Sequence, residues 1–177
     1  MIVFRTERLL LRHFHILDTE AMIRVFGDAE VMRYGPGPQT VEWVQGWLKT
    51  CLLSYQAWGF GPWAIVEKRR HITVGYCGLF YFPDIAGQPE IEIGYRLARS
   101  FWARGYATEA VRATRDYAFH VLGTARLIAM IDPQNASSIH VAEKAGMRYE
   151  KEVMLPGYTH PDCIYAVANP IRTTAML

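Results

Sequence analysis

Glu90-Ile91-Glu92-Ile93-Gly94-Tyr95-Arg96-Leu97, followed after a six-residue interval by Arg104-Gly105-Tyr106-Ala107-Thr108-Glu109-Ala110, decides how this chain folds. The first segment alternates, with its odd positions apolar, and reads as a strand. Gly94 interrupts the even face, where a bulge or a close approach by another backbone or a ligand is expected. The second segment opens a helix-like run. Its Ala107, Ala110, Val111, Thr114, Ala118, Val121 and Leu122 trace one face up to a stop at Gly123. A glycine-opened turn from strand into helix presents unpaired N–H groups at the positive end of the helix dipole, an arrangement that binds phosphate without any side chain. Neither G-x-x-x-x-G-K-S/T nor G-x-G-x-x-G is present, because Ala107 and Ala110 stand at the second and third glycine positions of the latter. The small Ala107 lets backbone approach a pyrophosphate. A plain helix start beside a basic residue fits the same pattern.

A length of 177 residues suits one domain with its own core, and 51% hydrophobic with 20% charged residues is a globular composition. The net charge of +2 gives no reason to expect a nucleic acid partner. Lys68-Arg69-Arg70, the one basic run, reads as a solvated hairpin turn between two apolar strands. Cys51, Cys77 and Cys163 are far apart and odd in number, which fits a reducing cytoplasm, and the strand cysteines read as small buried hydrophobes. His71, His120 and His140 lack metal-ligand spacing, so no metal is expected. Charges at Arg5, Glu7 and Arg8 occupy the place of a signal peptide's apolar core, and no apolar run approaches membrane-spanning length.

Residues 9–14 read as the first strand, with Leu9, Leu11 and His13 on one face. Asp18 is placed to cap a helix through Phe26, and Thr40 to cap one reaching Trp58, with Val44, Trp47, Leu48 and Cys51 on its core face. Residues 63–68 and 72–82 form an antiparallel hairpin, and residues 83–89 a further turn before the strand at Glu90. After the central helix come a strand at 127–131, a helix capped by Asn135 and ended at Gly146, and two closing strands at 147–155 and 163–167. This order predicts an α/β domain with a mixed sheet and helices on both faces. Trp43, Trp47, Trp58, Phe60 and Trp63 are dense enough to wall a pocket, although helix-spaced aromatics more often belong to the core.

Four motifs in order resemble the GNAT superfamily of N-acetyltransferases, and within it the RimJ/RimL-like branch. They are Thr6-Glu7-Arg8-Leu9-Leu10-Leu11-Arg12; Glu92-Ile93-Gly94-Tyr95 with Trp102-Ala103-Arg104-Gly105-Tyr106-Ala107-Thr108-Glu109-Ala110; Asn135-Ala136-Ser137-Ser138 with Glu143-Lys144-Ala145-Gly146-Met147; and Asp162 with Tyr165-Ala166. The likeness runs from about residue 6 to 167, within a single domain over 1–177. It implies a mostly antiparallel α+β sheet whose fourth and fifth strands splay. The pantetheine arm of acetyl-CoA, the co-substrate, then lies in the gap and pairs with the backbone of Tyr95, Arg96 and Leu97. The pyrophosphate falls on the N–H groups of Arg104, Gly105, Tyr106, Ala107 and Thr108, with Arg104 adding a charge-assisted contact and Asn135 counted among the cofactor residues.

Two departures from the wider superfamily affect the chemistry. Trp102, as in the RimJ/RimL-like branch, replaces an Arg or Gln that reaches phosphate in many members. Ala142, seven residues after Asn135, replaces a tyrosine that in many relatives protonates the CoA thiolate. Ser138 resembles the residue proposed in that branch to hydrogen-bond the sulfur; a first-turn helix serine is also favoured for capping alone. Glu92 leads as general base, with Glu90 on the same face, and both equally suit an ordinary solvent-facing strand. A backbone N–H near Leu97 is the expected oxyanion donor. Three functions fit: a protein Nα-acetyltransferase of the ribosomal-protein type, an N-acetyltransferase for a small amine, and a non-catalytic acyl-CoA-binding module. A homodimer is common among such relatives.

Overall fold

The apolar alternation on either side of residue 87 becomes a long antiparallel hairpin, β4 (Ile72–Ile85) and β5 (Gln88–Leu97), at the centre of an eight-stranded sheet. The structure, a computed structural model, describes residues 1–170. Its other strands are β1 (Ile2–Arg5), β2 (Leu9–Arg12), β3 (Pro62–Glu67), β6 (Arg126–Ile131), β7 (Arg148–Val153) and β8 (Asp162–Ala168), and its helices are α1 (Thr19–Phe26), α2 (Val41–Trp58), α3 (Tyr106–His120) and α4 (Ala136–Lys144). The strand order is β1-β2-β3-β4-β5-β6-β8-β7, antiparallel throughout except for the β5–β6 pair.

Successive side chains on a strand point to opposite faces. Tyr76 of β4 packs on Phe26 of α1 and Trp47 of α2, while the adjacent Cys77 places its Sγ 3.4 Å from Thr114 Oγ1 of α3. Helices α1 and α2 therefore cover one face and α3 the other, as the alternating order predicts. Leu9, Leu11, Trp63, Ile65 and Leu79 are fully buried between these layers.

Several local expectations are corrected. A strand precedes the predicted first one: β1 pairs with β2, and β2 ends at Arg12. The turn assigned to residues 83–89 shrinks to Ala86 and Gly87, both at positive φ, so the hairpin arms run further than Pro83 and Pro89 suggest. Helix α3 ends at His120, which leaves Val121 outside the helix and 65% exposed. Gly94 is not a bulge, since it pairs in register with Gly78. Thr40 caps α2 through Trp43 N as predicted.

Asp18 precedes α1 but makes no side-chain cap. Its buried carboxylate instead takes both Nη1 and Nη2 of Arg12 at 2.7 Å, the His15 amide at 2.8 Å and the Thr73 hydroxyl at 2.9 Å. Burial alone would raise this carboxyl, but these bonds outweigh it and hold it below the usual carboxylate range. Asp18→Ala strands the Arg12 guanidinium and should lower unfolding free energy by about 2 to 3 kcal/mol at pH 7, measured by urea titration. Because the folded carboxyl is depressed, its contribution is complete above the unfolded value and fades on acidification, so the deficit should narrow below about pH 4.

Candidate active site

The parallel ladder between β5 and β6 has a single registered pair, Glu92 with Ile128, and beyond it the strands part. This is the expected splay, between the fifth and sixth strands once β1 is counted. On the β4 side, Ala98 N–H donates to Val74 O at 2.9 Å, and the Arg96 carbonyl lies against Gly75. Alternation along the strand then turns the N–H and C=O of Tyr95 and Leu97 toward the gap. The backbone of Arg96 faces β4 instead, so the structure separates it from the other two predicted pairing residues. Trp102 closes the end of this segment, its indole N–H donating to the Leu97 carbonyl at 2.8 Å.

Glu92 bridges the point of separation. Its Oε1 accepts from Met130 N–H at 3.3 Å, two residues past the last paired residue of β6. Burial pushes its carboxyl up to about 7, the Asp162 charge adds to the rise, and the Met130 amide and Arg96 oppose it. Glu90, on the same face, is buried and ion-paired to Arg126 at 2.9 Å, which removes it from the reacting centre. Asp162, quoted in the sequence only as part of a motif, is buried at the start of β8 with Oδ1 unpartnered.

Ser138 lies on the opposite face of β5 from Glu92. Asn135 Oδ1 caps α4 by accepting from Ser138 N–H at 3.2 Å and from the Ser137 hydroxyl at 2.9 Å. The Ser138 hydroxyl receives the Tyr95 phenol at 3.1 Å. Tyr95 therefore offers more than backbone, which sequence reasoning missed. Burial raises its phenol to about 12, against the Ser138 hydrogen bond, so it remains a proton donor at neutral pH. Ala142 is buried inside α4, and the phenol beside this helix comes from β5 rather than from α4.

The turn predicted to take phosphate is built from two left-handed residues, Ala103 at φ 56° and Gly105 at φ 76°, and no side chain caps α3. Tyr106, Ala107 and Thr108 form the first turn of that helix, where N–H groups have no intrahelical partner. Arg8 braces the turn, with Nε 2.6 Å from Glu109 Oε2 and Nη1 2.8 Å from Arg104 O, while Thr6 Oγ1 donates to Glu109 at 2.5 Å. Neither brace residue carries a signal of its own in the sequence beyond membership of the first motif. The Arg104 guanidinium lies over the Phe101 ring, at the rim of a pocket of about 450 Å³ that the Lys68-Arg69-Arg70 turn also lines. That turn is exposed as predicted, although Lys68 is held by the Thr6 and Glu7 carbonyls and Arg70 by Glu67.

Among the described residues no His, Cys, Asp or Glu cluster could hold a metal ion, and no helix is long and apolar enough to cross a membrane. All three cysteines are free and buried; burial pushes the Cys77 thiol up to about 12, in keeping with a packing role. Trp63 is core, whereas Trp43 and Trp58 remain 41% and 52% exposed.

A splayed sheet beside a glycine-opened helix N-terminus defines an acyl-CoA-handling class, and the chain belongs to the GNAT acetyltransferase family: the Acetyltransferase (GNAT) domain model matches residues 8–148. It is an acetyl-CoA-dependent acetyltransferase. The uncharacterized protein YkkB of Bacillus subtilis is 36% identical over 149 residues, covering 84% of this chain and 86% of YkkB. A GNAT-family acetyltransferase structure from Bacillus anthracis aligns at TM-score 0.81 and 30% identity, over 96% and 99% of the two chains. Fold alone selects no branch. A ribosomal-protein-S5-alanine acetyltransferase from Vibrio fischeri aligns at TM-score 0.77 with 19% identity over 94% of this chain and 96% of its own. The spermidine N-acetyltransferase of Vibrio cholerae gives 0.75 with 13% identity, over 93% and 97%.

A side chain at residue 105 must adopt the left-handed conformation, and its Cβ would lie 3.3 Å from Arg8 Nη2. Gly105→Val should weaken CoA binding by about 10- to 100-fold in calorimetry while the circular dichroism spectrum is retained. Normal binding by a folded variant would contradict the phosphate assignment.

Proposed function

We propose that the chain acetylates a primary amine by direct attack on acetyl-CoA in a ternary complex. The observation that carries this reading is the placement of Glu92 and Ser138 on opposite faces of the strand that borders the gap. Pantetheine adds to β5 as an extra strand through the backbone of Tyr95 and Leu97, the pyrophosphate rests on the α3 N-terminus with Arg104 beside it, and Asn135 holds Ser138 in place. A thioester so held has a base on one face and a proton donor on the other.

Glu92, poised near neutrality, takes a proton from the acceptor ammonium, directly or through one water. The free amine attacks the thioester carbonyl, and the oxyanion is met by a gap-facing N–H of Tyr95 or Leu97. Collapse breaks the C–S bond; the thiolate takes the Ser138 proton, which the Tyr95 phenol replaces. The second proton, shed by the attacking nitrogen as the amide forms, restores the phenol through water, while Glu92 returns its proton to solvent. The missing tyrosine at Ala142 would suit a non-catalytic acyl-CoA-binding module, but the Tyr95–Ser138 pair supplies the donor that such a module lacks.

The RimJ/RimL-like assignment is supported by Ser138 and Trp102, and the acceptor within it is either a protein N-terminus or a small amine. The three free, buried cysteines support a cytoplasmic location. A homodimer is proposed on family resemblance alone.

Thiol release from acetyl-CoA against a panel of amines and N-terminal peptides tests the activity; CoA binding without any release would overturn it. Ser138→Ala should lower kcat by about 10²-fold with acetyl-CoA affinity nearly unchanged, and Tyr95→Phe by less. An unchanged kcat in both removes the pair from the mechanism. With Glu92 as base, kcat should rise through about pH 7 as the carboxyl ionises, and Glu92→Gln should flatten that limb.

A further inference from the structure

Glu92, Gly94 and Arg96 follow one another on the even face of β5, the face turned toward α1 and α2. Gly94 has no side chain, and the Phe80 ring lies so close that a methyl group there would sit 2.9 Å from it. The floor between carboxylate and guanidinium is therefore flat and apolar. Arg96 is half-buried, yet among the described residues its guanidinium has one hydrogen-bond partner, the Tyr76 hydroxyl, at 3.4 Å. No acid lies within ion-pair distance of it among the described residues: Glu92 is turned to Met130 N–H, Asp132 lies beside His160, and Asp162, whose Oδ1 is unpartnered, makes no ion pair with it. A half-buried guanidinium with no acid at ion-pair distance still has room to take one, and its planar fork matches a carboxylate.

A strap limits what can reach this floor. Gly35 lies against Arg96, where a Cβ would come within 2.8 Å of Nη2, and the neighbouring Tyr34 hydroxyl donates to Gln134 O at 3.1 Å, in the loop after β6. Residues 34 and 35 thus cross from β5 to the far side of the gap. Such a roof suits a small acceptor better than a protein N-terminus.

We infer that the acceptor is a small amine carrying a carboxylate, an amino acid, with its ammonium at Glu92 and its carboxylate on Arg96. The inference rests on the acetyl-transfer reading above and narrows it. A polyamine would instead press its second ammonium against Arg96, a like-charge contact that selects against it.

The test is thiol release by the full chain with several amino acids, their carboxamides, spermidine and an alanine-initiated peptide amide. Each acid should exceed its amide by about tenfold or more in kcat/KM, although the amide's less basic amine favours the amide. Arg96→Gln should collapse that ratio chiefly through KM, and Arg96→Lys should keep part of it. Equal use of acid and amide, or preference for spermidine or the peptide, overturns the inference while leaving acetyl transfer intact. Should Arg96→Gln fail to fold, the wild-type ratio decides alone. Should no amine be turned over, acetyl transfer to an amine fails, and N-acetylglycine titrated into the CoA-loaded protein decides the carboxylate site: binding weakened in Arg96→Lys supports it, and no binding to wild type overturns it.

Discussion

Everything in this molecule depends on a sheet that stops pairing part-way along its centre. Past Glu92 and Ile128 the strands β5 and β6 separate, and backbone groups that would cost several kcal/mol if buried unpaired are turned into the opening. The protein occupies two of them with side chains, the Met130 amide with the Glu92 carboxylate and the Leu97 carbonyl with the Trp102 indole. Those two contacts set the ends of the free segment. An extended, amide-bearing ligand fits what lies between, since it supplies the hydrogen bonds of the missing strand.

The turn that opens α3 is positioned by long-range contacts rather than by its own sequence alone. Left-handed Ala103 and Gly105 turn the chain, but Arg8 and Thr6, about a hundred residues away, tie Glu109 and the Arg104 carbonyl to the edge of the sheet. Burial would raise the Glu109 carboxyl; the bonds from Thr6 and Arg8 outweigh it and keep it ionised. The first motif of the chain is thereby joined to the central one by an ion pair. The α3 N-terminal turn and the sheet edge form one mechanical unit.

Much of this is legible in the sequence where local rules act. The alternation of β5, the Thr40 and Asn135 caps, and the glycine opening of α3 each follow from spacing and side-chain chemistry within a few residues. Local rules fail where the partner is distant in sequence. The pattern around Asp18 allows a cap, yet Arg12 with Thr73 claims its carboxylate instead. The prolines at 83 and 89 suit a turn, but they stand near the ends of strands whose pairing fixes a two-residue turn. Gly94 does mark a close approach, from Phe80 rather than from another backbone. The Tyr95–Ser138 hydrogen bond joins residues 43 apart, and no spacing rule could find it.

The gap-facing edge of β5 binding pantetheine as an added strand is the claim on which the rest turns. Residue-resolved amide hydrogen exchange with and without CoA tests it most directly. Strand addition predicts new protection at the amides of Tyr95 and Leu97 and at the first turn of α3, with Arg96, already directed at β4, changing little. Protection confined to the α3 turn, or spread equally over Arg96, would contradict it.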